Sequence, residues 1–306
     1  MKILFVNDPH FAEAGKHPSS RKSTYLDEIS AKILECKEIA KDCDLTIFTG
    51  DIFHHPRANA VSHFLVSHIT NLLKDWPTKI YAVPGNHDLS ESGFSGIARQ
   101  PIYVLSESGI INLFHQQGLW LDDNTYSMFY GWDNNDLGKY KVKRPYGCKN
   151  FVLVCHDMLC PDKSYPFEYL PYSEISSITD YDYIFYGHVH WDSGAQKINN
   201  TIFVNSGSLS RVARNEDNIN RIPRVSIAYF DDAFSDISFL TLKSAKLPGE
   251  IFVAPKETLS ATGAQFSDFV TQIGSAAGVE IIDLEDYIVN LPIEEKIKEK
   301  IWHYIQ

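Results

Sequence analysis

At 306 residues, 44% hydrophobic and 22% charged, the chain has the make-up of one large globular domain, or of one domain with an appendage, which excludes a disordered or fibrous chain. No apolar run approaches the ~20 residues that span a bilayer, and the start MKILFVNDPH meets charge too early for a signal peptide, so a cytoplasmic protein with no membrane attachment is expected. A formal net charge of -11 disfavours a freestanding, sequence-blind clamp on nucleic acid, yet leaves phosphate esters open as substrates because a local metal ion can outweigh the mean field.

Lys2–Val6, with ILFV uninterrupted, reads as a buried strand. Residues 24–43 have helical spacing, with Ile29, Ile33, Leu34 and Ile39 recurring at threes and fours. Residues 44–49 form a short apolar strand, 59–74 a second amphipathic helix, and 79–83 a third strand. This strand–helix alternation predicts a parallel sheet with right-handed crossovers. The stretch 102–131 has short apolar pieces that suggest a mixed sheet, and further strands are expected at 151–155, 183–186, 202–204 and 225–230.

Two basic stretches stand out. Lys139, Lys141, Lys143, Arg144 and Lys149 form one, and Arg211, Arg214, Arg221 and Arg224 the other; a solvated loop is the default for both. Cys36, Cys43, Cys148, Cys155 and Cys160 are irregularly spaced, with no CxxC, which predicts reduced thiols. Near Leu247-Pro248-Gly249 the pattern changes. A boundary at 246 separates an α/β domain, residues 1–245, from a small α+β region, 246–306, with a strand at 250–254 and helical runs at 266–273 and 292–304.

The residues fit for chemistry fall where strands end. Asp8 and His10 follow the first strand, Asp51 the second, Asn86 and His87 the third, His156 the strand at 151–155, and His188 and His190 the strand at 183–186. In open α/β sheets the carboxyl ends of strands line one crevice, where sites form. Asp8, Asp51, Asn86, His10, His156, His188 and His190 offer nitrogen or oxygen donors and no thiolate. That set is too large for one tetrahedral ion but suits two divalent ions sharing a bridging carboxylate, with Mn²⁺ preferred and Fe, Zn²⁺ or Mg²⁺ as alternatives. Gly50, Gly85 and Gly187 allow the backbone to turn sharply and approach closely just before each ligand.

The series DPH (8–10), GD (50–51), GNHD (85–88), a lone His156 and GHVH (187–190) resembles the calcineurin-like metallophosphoesterase superfamily, and all five motifs occur in order. The resemblance implies a four-layer α/β/β/α sandwich. It implies Asp8, His10 and His190 on one metal, Asn86, His156 and His188 on the other, and Asp51 bridging. His87 would serve as general acid or stabilise transition-state charge, and Asp88 would orient it.

Within the superfamily, Gly50-Asp51-Ile52-Phe53-His54 is similar to the GDxFH of SbcD-type DNA-repair nucleases, and Asn205 to Arg211 is similar to their small-residue turn ending in a basic residue. That likeness implies DNA as substrate, an SMC-like ABC ATPase as partner, room for a homodimer, and a capping or partner-binding role for 246–306. His54 and Arg211 are then candidate substrate-binding residues, although His54 reads equally as a surface residue at the start of the second helix. Trp191, next to the last ligand, could stack on a base or pack in the core. A small-molecule phosphodiesterase or phosphatase is the alternative function, favoured by the acidic balance.

Overall fold

The computed structural model describes residues 1–254, apart from 56–59, 91, 134–136, 164, 166 and 232–234. The chain divides after Val253, and all the elements below lie in the first unit. The expected helical runs at 266–273 and 292–304 lie outside the described residues.

β1 (Lys2–Val6), α1 (Tyr25–Ala40), β2 (Leu45–Phe48), α2 (His63–Leu73) and β3 (Lys79–Ala82) realise the predicted alternation. α3 (Pro101–Glu107), β4 (Asn112–Leu113), β5 (Gln117–Trp120) and β6 (Thr125–Tyr130) follow, so the stretch expected to be mixed sheet begins with a helix. Then come β7 (Asn150–His156), the short pair β8 (Leu159–Cys160) and β9 (Leu170–Pro171), α4 (Tyr172–Ile178), β10 (Tyr183–Gly187), β11 (Gly194–Ile198) and β12 (Thr201–Asn205). α5 (Glu216–Asn220), β13 (Arg224–Phe230), β14 (Ser235–Thr241) and α6 (Pro248–Ile251) complete the unit. Where a strand was expected at 250–254, α6 forms instead, and Phe252 makes an isolated antiparallel bridge with Arg21.

The strands form two large sheets. The first runs β14-β13-β1-β2-β3-β4 and the second β11-β12-β10-β7-β6-β5. Alternation along each strand decides what packs where. In β1, Leu4 and Val6 join the helix-side core with Ile29, Ile33, Cys36 and Ala40 of α1 and Leu65, Ile69 and Leu73 of α2. Ile3 and Phe5 point the other way, into a core shared with Val152, Val154 and Phe185 of the second sheet. The Phe5 and Phe185 rings stack with centroids 3.8 Å apart. Phe151, Leu153 and Cys155 of β7 face a third core that includes Tyr172 and Ile175 of α4. The result is helices, sheet, sheet, helix: the four-layer α/β/β/α sandwich that the motif resemblance implies. Leu34 of α1, read as an apolar-face residue, and Phe64 of α2 are exposed, because neither falls on the stripe that meets the sheet.

Candidate metal centre

The carboxyl ends of β1, β2 and β3 in one sheet and of β7 and β10 in the other supply every predicted ligand. Hydrogen bonds tie the two sheets together at this edge. His156 Nδ1 donates to Thr49 O at 2.8 Å, the His188 N–H donates to Asp8 Oδ1 at 2.9 Å, and Asn7 Nδ2 donates to Tyr186 O at 2.9 Å. Because a carbonyl can only accept, the proton of His156 sits on Nδ1 and its Nε2 is left for a ligand.

The backbone here is strained in a specific way. Asp8, His10, Asp51 and His188 have φ of 46°, 49°, 50° and 81°, the left-handed region that non-glycine residues seldom enter. Gly50 at φ 107° and Gly85 are needed for close approach: a Cβ on Gly50 would fall 2.2 Å from His156 Nδ1, and one on Gly85 2.1 Å from Asp51 Oδ1.

Two ligand groups share one residue. Donor atoms of Asp8, His10, Asp51 and His190 lie within 4.8 Å of one another, as do those of Asp51, His156 and His188. Asp51 Oδ2 stands 3.4 Å from His10 Nε2 and 3.3 Å from His156 Nε2. Asn86 Oδ1 completes the second group, 3.0 Å from His156 Nε2 and 2.8 Å from His188 Nδ1. His10 Nε2 and His190 Nε2 are 3.0 Å apart. Asp8 Oδ2 and Asp51 Oδ2 are buried with no hydrogen-bond partner among the described residues. A buried, unpaired carboxylate oxygen is costly unless a cation meets it, so the residues present fit a pair of divalent ions.

The electrostatics agree. Burial pushes the Asp8 carboxyl up to about 7. Burial would also raise Asp51, but His156 and His10 overcome it and hold this carboxylate well below its usual range. Burial would lower His156, but Asp51 overcomes it and lifts the ring to about 9. Burial brings His188 down to about 4 and His190 to about 3, and holds His10 well below its ordinary value. Three imidazoles are therefore already neutral, while Asp8 and His156 must each release a proton to a metal. As the pH falls, the proton on His156 and then the one on Asp8 compete with the ion. Mn²⁺ affinity is expected to weaken roughly tenfold per pH unit from 8 to 7, and more steeply below 7. Calorimetry of stripped protein in two buffers of different ionisation heat checks this; an affinity flat between about pH 6 and 8 contradicts it.

The remaining predicted residues divide. His87 is half-buried, and its Nδ1 donates to the His54 carbonyl at 2.7 Å. Asp88 acts on it through the backbone: its carboxylate accepts from the backbone N–H groups of Phe53 at 2.9 Å, Gly85 at 3.0 Å and Ile52 at 3.2 Å, clamping together the two loops that carry His54 and His87. His54 lies at the site, its ring stacked 5.4 Å from that of His87, and burial lowers it to about 4. The donor atoms of His10, His54 and His87 also lie within 4.8 Å of one another, which makes ligation the competing role for His87.

Arg211 is not at the rim. It is 1% exposed, with its guanidinium donating to Lys246 O at 2.6 Å and 4.0 Å from Glu28, which also holds Lys32 and Arg21. A buried guanidinium needs such acceptors, and they come from elements distant in sequence. Trp191 is half-buried against Tyr165 and Phe167. Trp132, given no role from sequence, lies over His188 with centroids 4.6 Å apart.

Five strand ends, seven nitrogen or oxygen donors and one shared carboxylate define a metal-dependent phosphoester hydrolase type of site. The sequence profile of the calcineurin-like phosphoesterases matches residues 1–192, and the chain belongs to that family. No curated protein gives a significant match. Similar solved structures include TT1561 of Thermus thermophilus, at 9% identity and TM-score 0.48, covering 78% of this chain and 97% of that one. A 5'-nucleotidase precursor, also from Thermus thermophilus, aligns at 10% identity and TM-score 0.45, over 82% of this chain and 56% of that one. Vps29 of Chaetomium thermophilum aligns at 11% identity and TM-score 0.35, over 79% and 97%. Among the described residues, no helix is long and apolar enough to cross a membrane.

Proposed function

We propose that the protein is a two-metal phosphodiesterase of the SbcD-type nuclease kind, acting on DNA with Mn²⁺ and partnered by an SMC-like ABC ATPase, whose contact falls to the region from 246 onward. The observation that carries the reading is Asp51 Oδ2, one carboxylate oxygen within 3.4 Å of a histidine from either ligand group. Asp8, His10 and His190 would hold one ion, Asn86, His156 and His188 the other, and Asp51 both. When bound, such a pair supplies positive charge to a phosphate ester and acidifies a water near neutral pH. The donors are nitrogen and oxygen only, which suits Mn²⁺.

The chain's own contribution to the proton path is His87. With its Nδ1 proton fixed on the His54 carbonyl, Nε2 is the nitrogen that carries the exchangeable proton. In the charged ring it can protonate a departing alkoxide. Within the GDIFH run the positioning of this acid is physical: Asp88 locks the Ile52 and Phe53 backbone, and the His54 carbonyl then sets the His87 ring.

A second reading, a small nucleotide phosphodiester as substrate, is favoured by the fate of the basic residues. Lys139 is buried 2.5 Å from Asp157, Arg144 pairs with Asp182 at 2.6 Å, and Arg221 pairs with Asp217 at 3.1 Å. Arg224 pairs with Asp192. The test is a Mn²⁺-supplemented panel of single- and double-stranded DNA, cyclic nucleotides and bis-p-nitrophenyl phosphate. DNA cleavage is expected, stimulated by the ATPase and falling steeply between about 50 and 200 mM salt. Turnover of bis-p-nitrophenyl phosphate with no cleavage of either DNA sinks the nuclease reading in favour of the second.

A further inference from the structure

Beside the metal centre lies a cavity of about 310 Å³, lined in part by Asn86, Ser90, Phe94, His115, Trp132 and Asp133. Its volume falls at the lower end of the range for small-ligand pockets. Asn86 joins it to the ligand cluster, since the same side chain meets His156 and His188 through Oδ1. A group held in the cavity is therefore one residue away from the place where a phosphate would react.

The lining has a particular chemistry. Phe94 and His115 stack with ring centroids 4.3 Å apart and planes at 26°. Trp132 adds a third ring, anchored on His188. Burial lowers the His115 pKa, which favours a neutral ring. Its Nδ1 is buried and has no hydrogen-bond partner among the described residues. Native proteins seldom leave such an atom unsatisfied without a reason. Asp133 contributes a carboxylate steadied by Gln116 Nε2 at 3.0 Å, and Ser90 a hydroxyl. Flat aromatic faces set among polar groups suit a planar heteroaromatic, whose faces stack and whose edge carries donors and acceptors. An alkyl chain would leave the Asp133 carboxylate and the Ser90 hydroxyl unanswered, and a bare sugar would waste the ring faces.

We infer that this cavity is a nucleobase pocket, seating the base of a nucleotide whose phosphate lies at the metal centre. The inference rests on the phosphodiesterase reading above and adds the substrate class. The base has two sources, a free nucleotide or the end of a DNA strand, and the test has an arm for each.

With Mn²⁺-loaded protein turning over bis-p-nitrophenyl phosphate, inhibition by adenosine 5'-monophosphate is compared with inhibition by ribose 5-phosphate, which lacks only the base. The nucleotide should inhibit about tenfold more tightly, the scale of one base stacked on aromatic rings. Phe94→Leu and His115→Ala should each bring that ratio toward one. In the second arm, an oligodeoxynucleotide is compared with the same strand carrying an abasic terminal residue. Discrimination in this arm assigns the base to a strand end, and discrimination in the first arm alone assigns it to a free nucleotide. Equal inhibition within both pairs overturns the pocket while leaving hydrolysis standing. Absence of Mn²⁺-dependent turnover overturns the hydrolase reading instead. In that event tryptophan fluorescence reads the pocket directly: quenching by adenosine but not ribose, lost in Trp132→Phe, supports it, and no quenching refutes it.

Discussion

Asp51→Asn is expected to strip both metal positions together and to reduce phosphodiester turnover by roughly a thousandfold or more, toward the uncatalysed rate. The substitution preserves shape, since Asn Oδ1 can still accept from the His87 N–H that Asp51 Oδ1 now meets at 2.8 Å. What it removes is the charge on Oδ2, the oxygen placed between His10 and His156. An amide NH₂ there would point a donor at each ion. Metal content by elemental analysis, with circular dichroism as the control for folding, checks the expectation. A variant that keeps both ions and most of its activity would show that the two ligand groups act independently.

His87→Ala should behave in the opposite manner, keeping the metal content while turnover falls by about two to four orders of magnitude, the usual scale for a lost general acid. The hydrogen bond from Nδ1 to the His54 carbonyl fixes the ring in one orientation. The competing role is explicit in the geometry, because His87 shares a group of close donor atoms with His10 and His54. Loss of an ion with the ring would therefore assign His87 to coordination. A substrate with a better leaving group, which needs less protonation, should recover part of the rate only if His87 is the acid.

How much of this was legible beforehand can be followed residue by residue. The candidate ligands were visible because each follows an apolar strand, and strand ends are where α/β folds place their sites. The layered architecture came through the motif resemblance, whereas periodicity alone gave a parallel sheet for the first 85 residues and a mixed one at 102–131, with no rule for how they pack. Nothing local distinguishes β1 from β7; only the alternation of Ile3 and Phe5 against Val152 and Val154 across the middle of the molecule makes two sheets.

The surroundings of Asp88 and Arg211 were not legible for a related reason. Each sits beside residues of known type in sequence, yet its partners lie far along the chain: Ile52 and Phe53 for Asp88, Glu28 and Lys246 for Arg211. A motif fixes which residue is present, and tertiary contacts decide which way it points. Trp132 shows the same limit, since no spacing rule connects it with His188.

The left-handed backbone at Asp8, His10, Asp51 and His188 has one more consequence. Each such residue costs about 1–3 kcal/mol, and the conformation persists only where the surroundings impose it. Hydrogen bonds across the sheet ends, such as Asn7 to Tyr186 and the His188 N–H to Asp8, hold these turns. Glycine adopts the left-handed region without that penalty, so replacing any of these four side chains with hydrogen would relieve backbone tension while deleting a donor. Robustness of the fold and capture of a cation pull in opposite directions at these positions.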